Sequence, residues 1–328
     1  MKPFAYVNPT NEKDAVAALT KEYEKALPLG GGQDLLARMK DYVTQPDRIV
    51  NIKNALDATA KQENGGLRIG AAMKMVDVAE HAEIGRMYPA VAAAAIEVGT
   101  PQIRNQGTVG GNINQRPRCW YFRNEEFKCY KKGGNRCFSP EGENQVHAIF
   151  GDGPSYIVHP SSLAVPFVAY DATFRLLGPK GERMVKAAEY FTMPTKENVE
   201  RENVLEPDEL LTHVILPAPG NLKSGHYEVR YKASHDWPIA FATVLLAMNG
   251  STVQAARVVM GAVAPVPWRS QAAEKALVGK SITPETASAA AEAALTGAQP
   301  MSQNAYKVPV AKTAVERAIL QAAGLAIA

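Results

Sequence analysis

The spacing of apolar residues changes period several times along the chain, and each change predicts an element. After Asn11, a helix-capping residue, "DAVAALTKEYEKAL" repeats apolar positions at helical spacing. "LPLGGGQDLLARMK" then reads as a short strand, a glycine turn and a second helix. "DRIVNI" and "GGLRIGAA" have the texture of strands, "KMVDVAEHAEI" the period of a helix, and "YPAVAAAAIEVG" that of a buried helix stopped by Gly99. This alternation is an α/β pattern. From about Thr173 the period shortens to two. "TFRLLGPKGERMV" predicts a hairpin turning at Gly178 to Gly181, and "IAFATVLLAMNGSTVQAARVVMGAV" two long strands joined at Asn249 and Gly250. The end is helical: "SQAAEKALVG", "TPETASAAAEAALTG" and "AKTAVERAILQAAG" are Ala-rich periodic segments with capping signals or closing glycines. A boundary is expected between residues 175 and 222, and no internal repeat or low-complexity linker interrupts the chain.

Composition narrows the class. With 328 residues and 46% hydrophobic content the chain can bury sizeable cores and should divide into two or three domains. A net charge of +3, with basic residues spread along the chain, gives no nucleic-acid footprint. The longest apolar runs, "AVAAAAI" and "IAFATVLLAM", are about half the length a membrane span requires, so no membrane association is expected. The N-terminus "MKPFAYVNPTNEKDAV" lacks the apolar stretch of a signal peptide. That points to the cytoplasm, or to the periplasm if a partner subunit supplies the export signal.

Candidate chemistry gathers in three places. "LGGGQDLL" puts three glycines at a strand end, where consecutive backbone N–H groups can meet a diphosphate without side-chain obstruction. "RNQGTVGGNI" frees the backbone again at Gly107, Gly110 and Gly111 and adds the short polar side chains of Thr108 and Asn112. Neither is a familiar nucleotide fingerprint. Each reads either as an ordinary tight turn or, taken with the other, as one half of a dinucleotide site. The third place is "RCWYFRNEEFKCYKKGGNRC", which holds all three cysteines of the chain. An odd, clustered set argues against a disulfide framework and toward a reduced compartment or an inorganic ligand set. Residues 116 to 136 also hold seven Lys or Arg against two Glu, a charge fit to balance a cluster or face an acidic partner, or simply a solvated loop. The six histidines form no metal spacing, and no Ser/His/Asp or paired-carboxylate arrangement appears.

In order, "LGGGQDLL", "IRNQGTVGGNI", "VHPSSLA", "YKASHDWPIAFA" and "GAVAPVPWR" resemble the FAD-carrying medium subunit of the xanthine dehydrogenase family of molybdenum hydroxylases. The cysteine insert between "GGNI" and "VHPS" is similar to that of the aldehyde oxidoreductase and 4-hydroxybenzoyl-CoA reductase type, where it holds a [4Fe-4S] cluster. The resemblance implies an α+β fold. Two small α/β FAD-binding subdomains of PCMH type, residues 1–55 and 56–222 with the insert at about 116–156, would precede a C-terminal domain, residues 223–328, of three-stranded antiparallel sheet plus helical bundle.

It implies equally specific roles. Gly30, Gly31, Gly32, Gln33, Asp34 and Leu35 match the first FAD loop and would hold the pyrophosphate through backbone donors. Thr108, Gly111 and Asn112 match the second. Lys232 matches a lysine near the flavin ring, where a positive charge favours the reduced, anionic flavin; read without the resemblance it is a surface lysine. Many relatives have "HPSD", whose aspartate contacts FAD, where this chain has Ser161 and Ser162 after Pro160. Cys119, Cys129 and Cys137 would ligate the cluster, or else be inert core thiols. The fourth ligand position is held by Ser155, with His147, an external ligand or a three-iron cluster as alternatives.

The family further implies an oxidoreductase in which a large subunit with the molybdenum cofactor oxidises the substrate and a small subunit carries two [2Fe-2S] clusters. The present chain would pass electrons through FAD to an external acceptor and contain no catalytic residue of its own. Two rival readings are a self-contained FAD-dependent oxidoreductase of the same flavin-binding fold and a zinc-stabilised scaffold. The first needs proton donors near a flavin, and zinc prefers close C-x-x-C pairs and four ligands.

Overall fold

The computed structural model describes residues 1–232 and 235–327. Three sheets organise it. The first is parallel, with β1 (Ala5–Val7), β3 (Arg48–Asn51) and β2 (Ala26–Leu29) in that spatial order. The second is antiparallel in the order β4 (Ala60–Glu63), β5 (Gly66–Gly70), β8 (Leu210–Leu216), β6 (Thr173–Gly178), β7 (Gly181–Lys186). The third runs β12 (Trp268–Arg269), β11 (Thr252–Gly261), β10 (Pro238–Asn249), β9 (Leu222–Arg230), also antiparallel, with helices Gln271–Leu277, Pro284–Ala294 and Lys307–Ala323 after it. Three long strands and a helical bundle are the C-terminal arrangement expected; the two-residue β12 extends the sheet to four. Among the described residues no helix is long and apolar enough to cross a membrane.

The near-continuous apolar run of β10 has a simple cause: the strand is buried on both faces. Phe241 and Leu245 point into the core shared with the first two sheets and their helices, while Ala240, Ala242, Val244 and Leu246 pack with the C-terminal helices. The period of two therefore divides one strand between two cores.

Two sequence expectations are corrected. The helix after Asn11 is only Glu12–Ala17, and Ala26, read as part of its end, opens β2. Glu24, with φ 58°, turns the chain out of helical geometry, and pairing of Ala26–Leu29 with β3 overrides a favourable helical period. Likewise "KMVDVAEHAEI" forms two short helices, Met75–Glu80 and Ala82–Met87, because His81 takes extended geometry between them.

The cysteine insert carries little regular structure, only a turn of helix at Trp120–Arg123 and a 3₁₀ turn at Tyr130–Lys132. Buried ion pairs fasten it instead. Asp34 Oδ1 lies 2.6 Å from Arg123 Nη2 and 3.0 Å from Arg118 Nη1, and Oδ2 accepts from Arg38 Nε at 3.2 Å and from the Arg116 backbone N–H at 3.1 Å. Arg116 spans Glu24 and Glu202, each at 2.7 Å, and donates to the Glu200 carbonyl at 2.7 Å. Lys131 reaches Glu202 at 2.6 Å and the Arg201 carbonyl at 3.0 Å. Four of the seven basic residues of the segment are thus neutralised inside the chain rather than presented to a partner.

Burial opposes the ionisation of Asp34, but Arg123, Arg38 and Arg118 outweigh it, and its pKa falls below the ordinary aspartate value. Glu202, also desolvated, is lowered by Arg116 and Lys131. Both carboxylates bind a proton less readily in the folded chain than in the unfolded one. The stability they contribute is therefore complete above the ordinary carboxylate range of about 4, and is lost as pH falls through the depressed folded values. The urea midpoint should already decline below about pH 6.5, because burial lowers the His159 pKa to about 4, and should fall more steeply below about pH 4 as the carboxylates take up protons. Glu202→Gln should lose about 3 kcal/mol at pH 7, because it leaves Arg116 and Lys131 buried without their counter-charge, and its acid dependence should be shallower. Equal slopes for the two proteins would contradict this account.

Candidate cofactor site

β2 ends in Gly30, Gly31 and Gly32, and β3 lies beside it, so the first glycine loop leaves the edge of the parallel sheet. A Cβ on Gly31 would fall 1.9 Å from the Gln106 carbonyl oxygen, so the first and second glycine loops touch backbone to backbone and only glycine permits it. Residues of both loops, including Gly30 through Leu35, Thr108, Gly111 and Asn112, line one cleft of about 410 Å³, the size of a small-molecule site. Pro160 and Ser162 add to it, as do His235, Asp236 and Trp237 from the segment leading into β10.

The two loops differ in what they offer. In the second, the N–H groups are spent on the fold: Val109 donates to Met73 O at 2.9 Å, Gly110 to Ala71 O at 2.9 Å, Asn112 to Thr108 O at 2.8 Å and Gly111 to Thr108 Oγ at 3.2 Å. Gly110 is needed for close packing, since its Cβ would meet the Ala71 methyl at 3.1 Å. Asn112 is oriented by the "HPSS" turn, its Oδ1 accepting from Ser161 Oγ at 2.7 Å and from the Leu163 N–H at 3.3 Å. In the first loop, by contrast, no acceptor among the described residues meets the backbone N–H groups of Gly30 to Asp34. Five consecutive open donors lining a cleft form an anion nest, and the residues present fit the diphosphate of a dinucleotide.

The side chain of Asp34 has no capacity left for a ligand, being enclosed by Arg38, Arg118 and Arg123. Only its backbone faces the cleft function assigned to it by resemblance. Lys232 is exposed, its N–H donating to Asp236 Oδ2 at 3.3 Å, and it is not among the residues lining the cleft. Ala233 and Ser234, which follow it, lie outside the described residues. The cation that does line the cleft is Arg118, set 4.6 Å over the Trp237 ring. Burial, with the neighbouring Arg123 and Arg38, brings its pKa down to about 10 against the pull of Asp34, so it stays charged at neutral pH. Sequence reading passed over Arg118 and Glu202. The cue for the first was "RPR" immediately before the first cysteine; Glu202 had none, being brought in by folding.

The cysteines come together as a group. Cys119 and Cys129 are buried with Phe122 and Ile157, Cys137 is half-buried, and its Sγ lies 3.1 Å from Ser139 Oγ. Burial pushes the Cys119 thiol up to about 12, and the sulfurs of Cys137 and Cys129 add to the rise. Cys129 is raised by burial as well. Thiols so placed become thiolates when a cation binds them. Ser155 is 2% exposed, two residues before Ile157, and the Ala148 N–H donates to Tyr156 O at 2.9 Å, which draws residues 155 to 157 alongside His147. His147 Nε2 lies 3.2 Å from Cys119 Sγ. Among the described residues no three His, Cys, Asp or Glu side chains converge to the spacing of a single-ion site.

Comparison with known proteins places this arrangement. Residues 2–219 match the family described as FAD binding domain in molybdopterin dehydrogenase, and residues 225–322 the CO dehydrogenase flavoprotein C-terminal domain. The chain is 31% identical over 326 residues to the aldehyde oxidoreductase FAD-binding subunit of Escherichia coli strain K12, covering 98% of this chain and 99% of that one. It is 28% identical to the carbon monoxide dehydrogenase medium chain of Hydrogenophaga pseudoflava, with 96% of each covered. In three dimensions it superposes on a chain of reconstituted CO dehydrogenase from Oligotropha carboxidovorans with a TM-score of 0.78, 25% identity and 99% of each chain covered. A family match over the greater part of the chain, and a relative aligned along nearly all of it, agree with the glycine loops and the three sheets. The chain belongs to the family of FAD-binding medium subunits of the molybdopterin dehydrogenases.

Proposed function

We propose that this chain is the electron-transfer subunit of a molybdenum hydroxylase of the aldehyde oxidoreductase type, holding FAD non-covalently in the cleft and a [4Fe-4S] cluster in the insert. Its partners in this reading are a large subunit with the molybdenum cofactor, which oxidises the substrate, and a small [2Fe-2S] subunit. Residues 1–55 and 56–222 form the flavin site, about 116–156 the cluster loop, and 223–328 supply the wall that bears Trp237.

The observation that supports the flavin reading best is the run of unmet backbone N–H groups from Gly30 to Asp34 along the cleft. These donors bind and neutralise a diphosphate, and Leu35, Thr108, Gly111 and Asn112 line the same cleft. Asn112 is held there by Ser161, which matches the serine of "HPSD", while Ser162, standing where the aspartate would be, lines the cleft itself. When bound, FAD and the cluster supply two-electron and one-electron carriers respectively. The carboxylates of Asp34 and Glu202, both lining the cleft, are taken up by ion pairs with Arg38, Arg118, Arg123, Arg116 and Lys131, which favours electron transfer over a self-contained enzyme.

The cluster reading rests on Cys119 and Cys129 sharing one buried group of side chains, with Cys137 near enough for its sulfur to act on Cys119. We assign the fourth iron to Ser155, which is buried two residues before Ile157 of the apolar cluster that holds Cys119 and Cys129.

Three outcomes are expected. Gly31→Val, which forces the two glycine loops apart, and Gly111→Val, which collides with Thr108 Oγ, should each empty the flavin site; absorbance of the gel-filtered proteins reads this, and full flavin in both would defeat the assignment. Anaerobically prepared protein should contain about four iron per chain, and Ser155→Cys should raise the cluster potential by replacing a hard oxygen donor with a thiolate. Iron-free protein, or an unchanged potential and spectrum in the variant, would reject the cluster or the role of serine respectively. Purified from its native source, the chain should arrive with two further subunits, molybdenum and iron; a lone monomer that oxidises aldehydes would contradict the assembly.

A further inference from the structure

His147 is a buried residue whose ring carries a single polar contact among the described residues. The side chain is in a residue 1% exposed, and its Nδ1 meets no partner among the described residues. Its only polar ring contact there is Nε2 to Cys119 Sγ at 3.2 Å. An imidazole with one nitrogen unsatisfied is costly to bury, so the contact made by the other nitrogen is the one to explain.

The surroundings fix that contact closely. The His147 N–H donates to the Asn144 carbonyl at 3.0 Å, and its own carbonyl accepts from Asn304 Nδ2 at 3.2 Å and Lys307 Nζ at 2.9 Å. Lys307 Nζ, itself 1% exposed as a residue, also donates to Ala262 O at 2.6 Å and Val146 O at 3.4 Å. The ring packs edge-on against Trp120, with centroids 5.7 Å apart, and beside Tyr121 at 6.1 Å. Lys307, at the start of helix Lys307–Ala323, thus anchors the His147 backbone, while Trp120 and Tyr121 of the insert flank its ring. The backbone N–H groups of Phe122 and Tyr121 point toward the same sulfur.

Resting on the reading that Cys119 is a cluster ligand, we propose that His147 donates an Nε2–H hydrogen bond to the Cys119 sulfur and thereby raises the cluster's reduction potential. A ligating Cys119 has lost its proton, so only an N–H can face it at this distance, and the tautomer is fixed at Nε2. The same distance separates this role from direct ligation. Each iron of a cubane takes one terminal ligand, and ligands on different irons stand apart rather than in contact. Hydrogen bonds to cluster sulfurs stabilise the more negative, reduced state, and removing one makes reduction harder. His147 is then a positioning and tuning residue, not a ligand.

The test uses the full chain in its native complex, with iron counted first. His147→Leu keeps the bulk and removes the donor; His147→Gln restores an N–H. Dithionite titration followed by electron paramagnetic resonance should show full iron in both variants. The one-electron reduction equilibrium should shift about tenfold against reduction in the Leu variant, about 59 mV, and the Gln variant should recover part of it. An exchangeable proton coupled to the reduced cluster should be present in the wild type and absent in the Leu variant. Unchanged potential and proton coupling in the Leu variant would overturn the proposal while leaving the cluster intact. Loss of iron from both variants, with wild-type iron normal, would also overturn it, since His147 would then be needed for assembly. Iron-free wild-type protein would remove the cluster reading itself, and this inference with it.

Discussion

The carboxylate of Asp34 is the point on which the first glycine loop and the cysteine insert both depend. It sits at the junction of Gly30–Gly32 and helix Leu35–Lys40, and it gathers Arg38 from its own helix with Arg118 and Arg123 from the insert. An irregular loop dense in charge has little apolar surface with which to order itself, so a buried, multiply paired carboxylate takes over that task. The consequence is positional: the chain around Cys119 is tied within a few bonds to the backbone that faces the cleft.

Glu202 does the same for the far side of the insert, from a segment more than sixty residues later in the chain. Arg116, with Glu24 at one end and Glu202 at the other, joins the two systems into one array. Such an array is rigid because every member would be left buried and charged if its neighbour moved. Rigidity suits a flavin subunit, since a carrier held in place needs no conformational step.

How much of this was legible beforehand depended on whether local pattern and tertiary contact agreed. The hairpin at Gly178–Gly181, the long strands around Asn249 and the three terminal helices announce themselves, because propensity, turn chemistry and burial coincide there. Both glycine loops were visible, yet their difference was not. That Gly31 leaves N–H groups open while Gly110 spends its own on Ala71 depends on neighbours, not on composition. Glu24 and Ala26 show the opposite failure, a helical period overruled by a parallel strand pairing. Seven basic residues around three cysteines read as a balance for cluster charge, a face for an acidic partner or a solvated loop; four of them found carboxylates at Glu24, Asp34 and Glu202 that no spacing rule connects.

The double burial of β10 bears on how the chain can be divided. Phe241 and Leu245 belong to the same apolar cluster as Leu67, Phe167 and Phe174, although they lie beyond the boundary between the two matched segments. A fragment cut at that boundary would keep the flavin loops but expose an unpartnered apolar scar where β10 had lain, and the C-terminal piece would carry the complementary one. An exposed turn such as Gly250 is therefore a better place to open the chain than the seam that sequence similarity draws.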